Sequence, residues 1–385
     1  MSQVNGYHEH SLHKVAARTG SFPLEVATNL IETYSPVTDG GVLLDPFCGK
    51  GTSLLAGRLA GMHTYGCDVS PEAVAISGAK IANVTIDDVL RYLGNLRCDT
   101  DSDDSRVANG VKVFFHERTL REIMAVARTL MADCSRPPES DIARLCLGCL
   151  VGILHGHAAY SLSLPCAHAY SMSPAYVQRY AKKHGLRRTY KNVTACIAEK
   201  AFLVLRDPSP TSARGSVKKS SVLDLEKTFP GLRNNVDIIL TSPPYLNAQT
   251  YGKDNWLRLW LLGYNHKDLR SDYIETGSVK KYGELMKSAL IQMRNLLRVG
   301  GRLVLVCGTA SRTRTRNKTR FKETVETGDI IAGIVTSSIS GLTIIKRDMH
   351  LVQSHKRYFH SLHESNGHSA HVIKETILVC EKDGL

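Results

Sequence analysis

A strand-like run, VDIILTS (236–242), is followed at once by Pro243, Pro244 and Tyr245. Two consecutive prolines forbid a continuing strand and hold the backbone rigid. Pro243 has no N–H, so neighbouring carbonyls can point outward as fixed acceptors. An exocyclic amine on a base needs acceptors for its two hydrogens, which turns its nitrogen lone pair toward an alkyl donor. The Ser242 hydroxyl and a carbonyl at Ser242 or Pro243 would supply them. Tyr245 offers a flat face on which a base removed from a duplex can stack. An ordinary Pro-Pro turn is the competing reading of this tetrapeptide taken alone.

The second stretch, DPFCGKGT (45–52), sets Asp45 at a strand end and Phe47 ahead of Gly49 and Gly51. Glycine lets the backbone approach a ligand, and the start of the following helix presents free N–H groups. The third glycine of a dinucleotide fingerprint and the Gly-Lys-Ser/Thr ending of a P-loop are both absent. Asp68 lies in the next strand run, HTYGCDV (63–69), near its end, where a carboxylate can accept from two ribose hydroxyls.

Together, DPFCGKGT and TSPPY resemble the amino-methyltransferases of DNA, a family that methylates cytosine-N4 or adenine-N6. The Ser-Pro-Pro-Tyr version is similar to the cytosine-N4 members; adenine-N6 members more often carry Asp or Asn first. The resemblance implies S-adenosylmethionine as cofactor, with Phe47, Gly49 and Gly51 at its methionine end. It places Asp68 at the ribose and Asp224 of SVLDL (221–225) near the adenine. TGSFPLEVATNLI (19–31) resembles the family's extra N-terminal motif, which puts Phe22 and Pro23 beside the cofactor. Asp45, Thr52, Val69 and Thr241 complete the implied cofactor set. Ser242, Pro243, Pro244 and Tyr245 are the implied catalytic residues. The expected reaction is direct in-line methyl transfer to the N4 amine of a cytosine flipped out of double-stranded DNA, with no covalent enzyme intermediate. The alternatives are an adenine-N6 target, an amino group in RNA, and a non-catalytic DNA-binding module on the same fold. Family analogy adds a restriction or defence setting with paired proteins.

The elements that must position these residues follow from periodicity. PLEVATNLIETY (23–34) has helical spacing, with Pro23 suited to a first turn. GVLLDPF (41–47) reads as a buried strand, TSLLAGRLAG (52–61) as a helix and SPEAVAISGAKIA (70–82) as a helix capped by Ser70. This order opens a Rossmann-like, doubly wound, mainly parallel α/β sheet, the class I methyltransferase type. Strand signals return at SVLDL, VDIILTS and GRLVLVCG (301–308), with LTIIKRD (342–348) and ETILVCEK (375–382) closing the sheet. Three parts result: 1–84 with the cofactor loop, a mainly helical insertion over 85–210 as a candidate DNA-recognition region, and 211–385 with TSPPY.

The 385-residue chain carries 49 Lys and Arg against 36 Asp and Glu, a net charge of +13. Such a surplus favours a polyanionic partner. SRTRTRNKTRFK (311–322) places Arg312, Arg314, Arg316, Lys318, Arg320 and Lys322 at every second position, with no acid. It directly follows the strand GRLVLVCG and so falls at the sheet's carboxyl edge, in reach of backbone phosphates, with a solvated loop as the competing reading. Lys182, Arg187 and Arg188 in YVQRYAKKHGLRRTYK (176–191) are further DNA-binding candidates. The absence of an apolar run long enough for a span, of a secretory leader and of a disulfide framework points to a cytoplasmic, nucleoid-associated protein without membrane contact. No metal is expected. Cys146 and Cys149 form a C-x-x-C inside an apolar helical run, where cysteine usually packs. Pro165-Cys166 lacks the remaining pattern of cytosine-C5 enzymes, and the histidines at 355, 360, 363, 368 and 371 lack fixed ligand spacing. Trp256 and Trp260, at i and i+4, read as core packing.

Overall fold

A computed structural model describes residues 10–16, 22–37, 40–98, 110–138, 140–166, 172–208, 214–244, 246, 251–265, 267, 269, 276, 278–316, 319–352 and 373–384. Tyr245, Lys318 and the histidines from 355 to 371 lie outside the described residues, as do the side chains of 311–323. The chain divides into two compact units: 1–17, 70–211 and 250–270 form one, and 18–69, 212–249 and 271–385 form the other. Element labels run in chain order through both.

The second unit carries the expected doubly wound sheet. Its strands are β1 (Val42–Asp45), β2 (His63–Asp68), β3 (Gly215–Lys219), β4 (Val236–Thr241), β5 (Leu297–Arg316), β6 (Thr319–Glu326), β7 (Leu342–Val352) and β8 (Ile373–Lys382). They run in the order β3-β2-β1-β4-β5-β8-β7, with β6 paired to β5 outside that path. The five strands from β3 to β5 are mutually parallel, and β8 pairs antiparallel with both β5 and β7. Every residue of β4 is buried, as a central parallel strand covered on both faces requires. The Asp237 carboxylate within it accepts from Val42 N at 2.8 Å and Arg298 Nε at 2.6 Å, so its charge is paired.

Helices α1 (Leu24–Tyr34) and α2 (Thr52–Leu59) belong to this unit, and α1 packs on α2, β4 and β5. Leu24, Ala27, Leu30, Ile31 and Tyr34 form the buried stripe of α1. Helix α2 lies close on the sheet because Gly57 has no side chain. A Cβ there would stand 2.8 Å from Thr64 Cγ2 and 3.0 Å from Leu43 Cδ1. Gly57→Val is therefore expected to cost about 1–3 kcal/mol through overpacking, read as a lower urea midpoint with unchanged slope.

Two strand expectations need correction. The third strand is GSVKK (215–219), and the SVLDL segment forms a 3-10 turn (Val222–Asp224) leading into α9 (Leu225–Thr228). Val222 and Leu225 are both buried at i, i+3 spacing, which suits a helical turn rather than a strand. The basic tract is also no loop: β5 runs on to Arg316 and pairs with β6 as an antiparallel ribbon, from Thr309↔Glu326 to Arg316↔Thr319. Two more helices, α12 (Val279–Leu296) and α13 (Thr327–Ser338), pack on each other and on β5. Tyr282, Met286, Ala289, Leu290, Met293 and Leu296 give α12 its apolar stripe.

The first unit is helical: α3 (Pro71–Ile81), α4 (Ile86–Asn95), α5 (Glu117–Asp133), α6 (Ser140–Ile153), α7 (Pro174–Lys183), α8 (Val193–Val204), α10 (Tyr251–Asp254) and α11 (Trp256–Leu261). Helix α6 is its centre. Gly148 and Gly152 let it approach Ala79 and Val15; a Cβ on Gly152 would fall 2.1 Å from the Val15 carbonyl. Cys146 and Cys149 are fully buried in α6, and burial pushes both thiols up, Cys149 to about 12. They pack, as expected of cysteine in an apolar helix. The segment 10–16 is docked rather than loose: Ser11 N donates to Asp207 Oδ2 and Ser11 Oγ to the Val204 carbonyl. Trp256 donates to the Met172 carbonyl and meets Phe114 edge-on. Among the described residues no helix is long and apolar enough to cross a membrane.

Candidate active site at the carboxyl rim of the sheet

Strand β1 pairs with β4 through Leu43↔Ile238 and Leu44↔Ile239, so both strands leave the sheet on the same rim. β1 exits at Asp45 into Pro46–Gly51, and β4 exits at Thr241 into Ser242–Pro244. A hydrogen bond joins the two exits: Thr241 Oγ1 donates to Asp45 Oδ1 at 2.5 Å. Asp45 also accepts from Phe47 N at 3.1 Å and from Ser53 Oγ, the second residue of α2. A single buried carboxylate thus holds the glycine bend, the start of α2 and the end of β4. Burial pushes its pKa up to about 6, against the three hydrogen bonds, with nearby Asp68 adding to the rise.

The bend itself depends on glycine. Gly49 and Gly51 have φ of 50° and 71°, left-handed values that side chains resist. Gly51 is the N-cap of α2 and its N–H donates to the Cys48 carbonyl at 2.6 Å. The first turn of α2 leaves N–H groups without helical partners, which suits a polar or anionic ligand group. Thr52, at that turn, is 3% exposed, and its hydroxyl has no hydrogen-bond partner among the described residues. An orphaned buried hydroxyl is costly unless a ligand meets it. Phe47 and Lys50 are half-buried in the bend.

Asp68 closes β2 beside this bend and accepts from Gly49 N at 2.9 Å. Its carboxylate therefore fixes the bend from below, and Val69 follows it, half-buried. Beyond β3, Ser220 N donates to the Asp68 carbonyl, and Ser221 Oγ accepts from Leu223 N. Asp224 does not join this group. Because the strand ends at Lys219, Asp224 falls in the following turn, is exposed, and pairs with Lys227 at 3.4 Å. The serines at 220 and 221 hold the place at the strand end that the sequence reading gave to Asp224.

Phe22 is buried and Pro23 N-caps α1, which packs against α2. Ser242 and Pro244 are half-buried and Pro243 is buried. Asp45, Phe47, Gly49, Gly51, Thr52, Asp68 and Thr241 are thus brought together around one bend, with Ser242 adjoining through the strand. The basic candidates belong to separate units: Arg312, Arg314, Arg316 and Arg320 to the ribbon of the second, and Lys182, Arg187 and Arg188 to the first. Arg188 Nη1 donates to the Lys112 carbonyl and so ties α7's tail to its own unit. Sequence reasoning missed Ser53, whose only signal is its place in the first turn of the helix, two residues after Gly51.

Residues 1–79 match the family model for DNA methylases. The match takes in α1, the glycine bend and Asp68, and ends before β3. Comparison with curated proteins finds no match. Among solved structures, TrmN from Thermus thermophilus is similar at 11% identity and TM-score 0.36, over 96% of this chain and 52% of that one. The rRNA methyltransferase AviRa from Streptomyces viridochromogenes is similar at 13% identity and TM-score 0.31, over 83% and 93%. A SAM-dependent methyltransferase from Methanosarcina mazei gives 9% identity and TM-score 0.35, over 92% and 97%. Likeness at this level says nothing of substrate.

Proposed function

We propose that this chain is an S-adenosylmethionine-dependent DNA methyltransferase acting on the exocyclic N4 amine of cytosine. The observation that carries the reading is the Asp45–Thr241 hydrogen bond, which sets the glycine bend and the Ser-Pro-Pro turn side by side on one rim. The match of residues 1–79 to DNA methylases supports the substrate class. The bend fits the cofactor: two left-handed glycines, an unpartnered buried Thr52 hydroxyl and the strand-end Asp68 are the features a polar nucleoside–amino-acid ligand needs. When bound, that group supplies an electrophilic methyl on a sulfonium.

The chain's own residues then have distinct tasks. The first turn of α2 and Thr52 hold the amino-acid end, and Asp68 accepts from the ribose. Ser242 and the carbonyls of the Pro-Pro turn accept the two hydrogens of the amine, orienting its lone pair and relieving the charge that develops on nitrogen. Proton loss to solvent follows, without a dedicated base. Tyr245 stacks the flipped base. Double-stranded DNA is the partner, in a cytoplasmic, nucleoid-associated setting, with restriction or defence proteins as paired components.

Asp68→Ala is expected to weaken S-adenosylmethionine binding by about tenfold or more in calorimetry, because a charge-assisted contact and the anchor of Gly49 are lost together. Incubation with radiolabelled cofactor is expected to label duplex DNA and leave RNA of the same sequence unlabelled. Labelling of RNA alone overturns the substrate class; cofactor binding without transfer to either marks a non-catalytic module.

A further inference from the structure

The helical unit carries a surface that methyl transfer does not explain. Helix α7 starts at a Ser173 cap, whose hydroxyl accepts from Tyr176 N at 3.2 Å. Within α7 only Val177 is buried. Tyr176, Tyr180 and His184 follow one another at i, i+4 and i+8 on one line. The Tyr176 and Tyr180 rings stack at 5.9 Å and 22°, and Tyr180 meets His184 at 4.3 Å and 36°. Tyr176 is 37% exposed. The three rings form an aromatic line roughly 12 Å long at the helical rise, about the span of three to four base steps.

Cations flank it. Arg179, Lys182, Lys183 and Arg187 are exposed, and among the described residues no ion pair engages them. No Asp or Glu occurs between Asp141 and Glu199. A basic segment with no acid of its own attracts a polyanion, and partly exposed aromatic rings accept planar or apolar partners. Both demands are met by a nucleic acid, which presents phosphates beside sugars and bases.

We propose that the Tyr176–Tyr180–His184 ladder with Arg179 and Lys183 at its side is a DNA-docking face, through which the helical unit holds the substrate strand. The proposal rests on the function argued above only in taking the nucleic acid to be DNA. The rings contact sugar or base, and the cations contact phosphate.

The test uses the full chain and fluorescence anisotropy with a labelled duplex of mixed sequence, over a range of salt. Tyr176→Ala with Tyr180→Ala is expected to weaken binding about tenfold, and the pair of phenylalanine substitutions to retain it. Arg179→Glu with Lys183→Glu is expected to weaken binding and flatten the salt dependence by about two counterions. These positions lie on a helix surface, so circular dichroism and cofactor affinity should match the parent. Parental duplex affinity in both double variants overturns the proposal, as does tighter binding of a matching RNA. A parent that binds duplex through this face yet binds no cofactor would sink the methyltransferase reading while leaving the docking face standing.

Discussion

Ser242→Ala is expected to lower kcat for methyl transfer to DNA by about a hundredfold, with cofactor affinity within about threefold of the parent. The magnitude is that of removing one preorganised hydrogen-bonding group aimed at charge developing in a transition state. The Ser242 hydroxyl lies one residue beyond the buried Thr241, whose own hydroxyl is committed to Asp45. Thr241 thus fixes the strand end, and under the proposed function Ser242 is the hydroxyl left for the substrate amine. The Pro243 and Pro244 rings restrict the turn, so its carbonyls have little freedom to swing in as substitutes. Single-turnover assays separate this loss from an effect on base binding. Unchanged kcat in the alanine variant would remove Ser242 from the catalytic turn.

The second large effect concerns Asp45. A carboxylate whose pKa is raised on folding holds its proton more tightly in the folded chain than in the unfolded one. Its contribution to stability is full below the ordinary value of 3.8 and is lost as pH rises through about 6. Asp45→Asn removes that titration. Relative to the parent, the variant should gain roughly 2 kcal/mol between pH 4 and pH 7, read from urea unfolding at each pH. The gain comes with a functional loss. Asparagine offers one acceptor oxygen where the carboxylate serves Phe47 N, Ser53 and Thr241, so the bend and the Pro-Pro turn lose a common anchor. Cofactor affinity should fall even as the variant loses less stability than the parent on going from pH 4 to pH 7. A pH-independent stability difference between the two chains contradicts the assignment of the raised carboxyl to Asp45.

Much of the rim was readable because its residues have few alternative uses. Gly49 and Gly51 sit where the backbone turns left-handed, and a buried run ending in two prolines marks β4 and its exit. What the sequence hid follows from tertiary context. β3 is an edge strand paired to β2 alone, and its GSVKK residues are half-buried or exposed, so no apolar run announces it. The apolar Val222 and Leu225 beside it drew the strand reading, although their spacing is that of a turn of helix. The ribbon of β5 and β6 escaped because Arg and Lys at alternate positions read first as a charge run. The threonines between them, with β-branched strand preference, were the overlooked signal. Asp45 reads as a ligand-binding acid from its place in the motif, and only the packing of β1 against β4 turns it into a buried tie. The docking of residues 10–16 onto the helical unit has no local signature, since its partners Val204 and Asp207 lie almost two hundred residues away.

The central claim is decided by the product. Duplex DNA is incubated with the full chain and a deuterated-methyl cofactor, digested to nucleosides, and resolved by mass spectrometry. Labelled N4-methyldeoxycytidine is the expected species, absent when Ser242→Ala replaces the parent. Label found only on the N6 atom of deoxyadenosine, or on no nucleoside at all, contradicts it.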